Sequence, residues 1–235
     1  MISSLPIYIS VFFIAIVLTV VIWFYFISKS RTFLILTINW TIIQSAIGYA
    51  GIYQDLNFFP PQLLILGVFP PVLFMLILFL SNKGKKFLRR FDIKALTYFH
   101  SIRMPVEIVL SLLFHYSMIP VYMTFEGFNF DIISGLTAPV VALIAFRKTS
   151  INRKLLLGWN VLALLLLANV VVISAMSAPF PFQKLAFNQP NIAILYFPFN
   201  LLPTVVVPLV FFGHLVALYR LKANRTTLPS QIKSK

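Results

Sequence analysis

The chain reads as an all-α membrane protein of seven transmembrane helices, with its N-terminus outside and its C-terminus in the cytoplasm. Three observations predict this. Of the 235 residues, 60% are hydrophobic and 10% charged, far from the soluble averages of roughly half and a quarter. Apolar stretches near the ~18 residues that carry a helix across the ~30 Å hydrocarbon layer recur along the whole chain. The cations fall in alternate loops.

The expected spans are 5–28, 33–53, 61–81, 94–119, 131–147, 154–177 and 191–219, giving a transmembrane domain over 1–221 and a basic cytoplasmic tail over 222–235. Helix one is expected to be retained, because Met1 to Pro6 carries no Lys or Arg and no small-residue cleavage site follows the apolar run. Helix two places Thr37, Thr41, Gln44 and Gly48 on one stripe, flanked by Asn39, Trp40 and Ser45, which suits close packing and hydrogen bonding to a neighbour. Pro70 and Pro71 sit near the middle of helix three; Pro198, Pro203 and Pro208 surround Asn200 and Thr204 in helix seven. Both helices should be bent or locally unwound, and broken helices at membrane depth often mark a transporter's binding site. Asn160 and Asn169 in helix six point to nearly opposite sides.

A net charge of +14 would raise nucleic acid as a partner in a soluble protein, but topology accounts for it here. Of the 19 Lys and Arg, only Lys184 lies in a loop on the opposite side, and Arg103 lies within helix four. The rest cluster around Lys29 and Arg31, from Lys83 to Lys94, from Arg147 to Lys154, and in the tail at Arg220, Lys222, Arg225, Lys233 and Lys235. Asp55, Glu126 and Asp131 fall on the other side. Such segregation fixes an N-out, C-in orientation and an odd number of crossings. The cation-rich loop after helix three also suits anionic headgroups.

Helix four carries the polar residues. His100, Arg103, Glu107, Ser111 and His115 follow spacings of three and four and share one face, which predicts a central helix facing the bundle. Glu107 sits roughly 18–20 Å from either helix end, too deep for a short carboxylate to reach water. It must be paired or protonated, and Arg103, one turn away, is the near partner. Pro105 between them predicts a kink near Ser101. His100 and His214 lie at similar depth, a geometry that a bis-histidine haem would use, although ordinary hydrogen-bonded histidines are the default and no cofactor or metal is expected. His115 lies nearer the outside, within reach of Glu126 and Asp131.

There is no cysteine, so neither a disulfide nor a thiolate metal site is possible. P-loop, HExxH and GxSxG patterns are missing, and no loop is long enough to bury its own core. Any activity must therefore lie among the helices. Two echoes suggest parallel repeats of helices one to three and five to seven: Pro61 to Pro70 against Pro190 to Pro198, and Asn39-Trp40 against Trp159-Asn160. A three-plus-one-plus-three plan around helix four resembles sugar and vitamin transporters of the SWEET and PnuC type, from which a linker helix as polar as this one departs. Taken whole, Met123 to Asp131, Leu136 to Pro139, Ser177 to Gln183 and Asn188 to Asn191 resemble an uncharacterised group of bacterial seven-helix membrane proteins. That resemblance implies a bacterial inner membrane and no assigned activity.

The function these residues lead us to expect is a small-solute or proton-coupled permease. Its coupling group would be Glu107 with Arg103 as counter-charge, in a polar path with Ser111, His100 and His115. Gln44, Asn160, Asn169, Asn200 and Thr204 are candidates for the substrate path. The alternative is a receptor-like or accessory subunit that docks a cytoplasmic partner on its basic face, and a third is an electron carrier using His100 and His214.

Overall fold

The computed structural model describes residues 5–147 and 151–223. Lys148, Arg225, Lys233 and Lys235 lie outside them, as does residue 224 onward of the expected tail. Among the described residues there are helices and turns and no strand. Five helices are long and apolar enough to cross a membrane: Ile7–Ser28, Arg31–Tyr49, Leu63–Leu80, Arg153–Ser177 and Leu202–Lys222.

α1 (Ile7–Ser28) is apolar around its whole circumference: one side, including Ile9, Phe13, Val20 and Phe24, is buried against α2 (Arg31–Tyr49) and later helices, while Val11, Leu18, Ile22 and Phe26 are exposed on the other. A tight reversal joins the first two helices. Lys29 takes the left-handed conformation (φ 50°) and returns its N–H to Tyr25, and the Ser30 hydroxyl then caps α2 by accepting from the Phe33 N–H at 3.2 Å.

The third helix is continuous but distorted at its prolines. A π-helical turn, Leu63–Val68, leads into α3 (Phe69–Leu80). Pro70 cannot donate to the carbonyl four residues back, that of Leu66. Gln44 of α2 supplies the missing donor through Nε2 at 2.9 Å, while its Oε1 accepts from the Tyr53 hydroxyl. The last helix repeats the device. Its π-helical turn Leu202–Val206 precedes α9 (Val207–Ala223), and the Thr204 carbonyl, four residues before Pro208, accepts from Trp40 Nε1 at 2.8 Å. The polar stripe of α2 thus caps both proline distortions. The two π turns pack on each other, and Pro70 and Pro208 each stand two residues past the end of one. Trp40→Phe keeps an aromatic ring but removes the donor, so it should cost about 1–3 kcal/mol, read as a lower unfolding temperature in detergent with the far-ultraviolet circular dichroism unchanged.

Helix four is interrupted. α5 (Ile93–Phe99) and α6 (Arg103–His115) are joined by the 3-10 turn His100–Ile102, five to three residues before the helix-bending Pro105. Together they pack on α1, α7 (Asp131–Ala145) and α9, with α8 (Arg153–Ser177) behind α7 and α9. Phe24, Phe91, Phe99 and Phe212 interlock at the contact of α1, α5 and α9.

Several boundaries depart from the sequence reading. A short basic helix, α4 (Asn82–Leu88), forms in the cation-rich loop, capped by Ser81. Helix seven begins at Leu202 rather than 191, because Pro198 would fall inside the expected helix, whereas Pro203 sits in the first turn of the observed one, where a missing donor is tolerated; residues 193–195 form only a 3-10 turn. It also runs on to Ala223, past the expected start of the tail. α7 has 15 residues, about 22 Å at the helical rise and short of the ~30 Å layer.

Candidate functional site

The segment between α6 and α7 determines the site. After His115 the chain makes a 3-10 turn, Val121–Met123, and folds back so that Asn129 is fully buried. Phe128 and Phe130 are exposed while Asn129 and Asp131 are buried. This irregular stretch therefore turns its polar side inward and its aromatic side outward. Asn169 of α8 holds it through Nδ2, which donates to the Phe128 carbonyl at 2.7 Å.

Asp131, the first residue of α7, meets Arg103 on α6. Arg103 Nε donates to Asp131 Oδ2 at 2.6 Å and Nη2 donates to Oδ1, the bidentate fork that guanidinium geometry favours. Both side chains are almost wholly buried, so each neutralises a charge that would otherwise be costly. The expected Arg103–Glu107 pair is not formed, while Asp131 opens α7 as the span 131–147 leads one to expect. One turn apart on a single helix, Arg103 and Glu107 cannot match the two parallel hydrogen bonds that a carboxylate on the facing helix end offers.

The remaining Arg103 donors extend the network. Nη2 reaches the Ala163 carbonyl at 3.1 Å and Nη1 reaches His214 Nε2 at 3.2 Å. Because Nε2 accepts, the tautomer assigned from these partners carries its proton on Nδ1, which donates to Asn160 Oδ1 at 2.9 Å. Asn160 Nδ2 ends the chain on the Leu156 carbonyl at 2.8 Å. His100 stacks on His214 with ring centroids 3.7 Å apart and planes 13° from parallel, and Trp159 closes the edge of the pair. Two imidazoles sharing one haem iron would present a nitrogen from each side. Here the rings lie face to face and both His214 nitrogens are engaged, so the pair does not fit a haem.

Glu107 has a neutral partner. Asn129 Nδ2 lies 2.8 Å from each carboxylate oxygen and 2.9 Å from the Met123 carbonyl, while Asn129 Oδ1 accepts from the Asp131 N–H at 3.0 Å. One short segment therefore orients both the carboxylate partner of Arg103 and the amide partner of Glu107. Arg103, Glu107 and Asp131 all line a cavity of about 600 Å³ whose other walls, from α3, α8 and α9, are almost entirely apolar. Val72 of α3 and Leu165 and Val171 of α8 line it and yet remain exposed, so it opens at the surface between those helices.

The other candidates divide. Asn160 joins the network behind Arg103, whereas Gln44, Asn200 and Thr204 build the contact of α2 with the π turn before α9 and the residues leading into it: Asn200 Nδ2 donates to the Gln44 carbonyl at 2.8 Å and Thr204 Oγ1 to the Asn200 carbonyl at 2.8 Å. Asn169 anchors the inturned segment. Ser111 is half-buried, and its carbonyl accepts from Nδ1 of the exposed His115 at 2.8 Å. Glu126 and Asp131 do not gather at His115: the first is exposed and the second is held by Arg103. Among the described residues no group of three or more His, Asp or Glu could hold a metal ion.

Neither a curated protein nor a solved structure matches the chain. A family model does match over residues 60–222, a range that contains Arg103, Glu107, Asn129, Asp131, Asn160 and His214 and leaves α1 and α2 outside. The chain therefore belongs to the family described as a domain of unknown function, DUF8737.

Proposed function

We propose that the chain is a seven-crossing, N-out and C-in protein of a bacterial inner membrane that works as a proton-coupled small-molecule permease. Its coupling group is Glu107. In this reading the five long apolar helices are joined as crossings by the α5–α6 unit and by α7, completed at one end by the inturned segment. The observation that carries the reading is the surroundings of Glu107: a buried carboxylate on the wall of a cavity, touched by one amide and by no cation of its own. Arg103 and Asp131 cancel each other and act as a fixed frame. Glu107 is thereby left as the group whose charge changes when a proton or a substrate arrives.

Glu107→Gln preserves shape and the contact with Asn129 while removing titration. It should express and fold, yet lose the pH dependence of ligand-induced thermal stabilisation across a ligand panel and of uptake into liposomes. A variant that retains the wild-type pH profile in both assays would sink the coupling role.

A second reading rests on α4. Its Lys83, Lys85 and Lys86, with Arg89 and Arg90 following, form a basic helix between two crossings, suited to anionic headgroups or to a soluble partner of an accessory subunit. Stoichiometric co-purification of a cytoplasmic protein would favour that reading over the permease.

A further inference from the structure

Hydrogen-bond capacity on the cavity wall is unbalanced. Arg103 has committed its three nitrogens to Asp131, Ala163 and His214, and Asp131 cancels its charge, so it is poorly placed to capture an anion. Glu107 offers about four acceptor sites and receives only the Asn129 amide. The surplus is of acceptors and, when the carboxyl is ionised, of one negative charge. Around it the cavity is walled by side chains such as Val68, Leu110, Leu167 and Val206. A small hydrated cation would lose its water there without replacement. A cation wrapped in hydrocarbon carries little hydration to lose.

The entrance has the same character. Val72, Leu165 and Val171 frame an opening between α3 and α8 on the outer surface of the bundle, where a membrane-dissolved molecule arrives without crossing water.

We infer that this cavity binds lipophilic monocations, such as bulky amines or onium ions, with the cationic centre at Glu107. The inference rests on the permease reading and names its substrate class. One proton leaves the Glu107 carboxyl as one cation takes its place, so charge balances and binding weakens in acid. The charged groups facing Glu107 are Arg103 on its own helix and Asp131 on α7. His214 on α9 bonds Arg103 instead. Glu126, in the segment that carries Asn129, is exposed, α1 has no acidic or basic residue, and the lining from α3, α8 and α9 has no titratable side chain.

The probe is tetraphenylphosphonium, measured by equilibrium binding to the purified full chain in detergent, with tetraphenylborate as its anionic counterpart of like shape. Wild type should bind the phosphonium and release one proton per cation into weakly buffered solution. Affinity should fall by about tenfold for each pH unit over which the carboxyl is protonated. Glu107→Gln should not bind the phosphonium at any pH, Glu107→Asp should retain binding, and the borate should bind neither variant nor wild type. Equal binding of phosphonium and borate, binding by Glu107→Gln, or no phosphonium binding by folded wild type would each overturn the assignment. Proton-linked binding without pH-driven accumulation in proteoliposomes would overturn the permease reading and leave the cation site standing. Proton-coupled uptake of another solute by a protein that ignores the phosphonium would do the reverse.

Discussion

Asp131→Ala is expected to lower stability by about 3–5 kcal/mol, because it strands the Arg103 guanidinium in a buried site. Arg103 is only 2% exposed, and its other partners, a carbonyl and an imidazole, carry no compensating charge. Arg103→Met alone should be nearly as damaging, since it strands Asp131. The double variant Arg103→Met with Asp131→Leu should recover most of the loss, because replacing both members of a buried pair by apolar groups is often close to neutral. Denaturation in detergent, monitored by size-exclusion homogeneity, reads all three. A loss below about 1 kcal/mol, the range of solvated surface pairs, would show that water reaches this pair.

That ion pair also marks where sequence reasoning stopped. Arg103 and Glu107 were legible because helical spacing alone places them on one face with His100 and Ser111. Their partners were not, because Asn129 and Asp131 lie on a segment that doubles back, and no periodicity within helix four encodes what folds against it. A signal was nonetheless present. Phe128-Asn129-Phe130-Asp131 alternates aromatic and polar residues beside an apolar helix, and in a lipid-facing chain such alternation turns the aromatic side outward and the polar side in. The proline distortions were equally legible in helices three and seven, whereas the exact donors were hidden: Trp40 and Gln44 stood out as a polar stripe without showing that they serve the carbonyls of Thr204 and Leu66.

Gly67→Val should be a damaging steric change at the contact of the two π turns. A Cβ at Gly67 would lie 2.5 Å from Thr204 Cγ2 and 3.3 Å from the Tyr53 hydroxyl, at the crossing of the two π turns. Separating the turns costs about 1–3 kcal/mol for overpacking, and stretching the bonds from Gln44 and Trp40 to the proline-freed carbonyls adds about 1–3 kcal/mol for each acceptor left alone. Gly158 supplies the control. Nothing lies within 4 Å of a Cβ there, and α8 is helical at that position, so Gly158→Ala should stabilise the chain by about 0.5–1 kcal/mol. The two variants compared by thermal unfolding in detergent should move in opposite directions; a Gly67→Val protein as stable as wild type would show that the π turns are not in close contact.

On the seven-crossing reading proposed above, the shortness of α7 has a consequence for the surrounding lipid. A 15-residue helix whose first residue is an ion-paired aspartate leaves a strip of hydrocarbon to be met by Tyr122, Phe125, Phe128 and Phe130, all exposed on the inturned segment. Acyl chains along that flank must compress or splay to follow the rings, a mismatch that costs fractions of a kcal/mol per Å. Bilayer thickness therefore bears directly on the segment that positions Asn129 and Asp131, so lipid chain length becomes a lever on the geometry around Glu107.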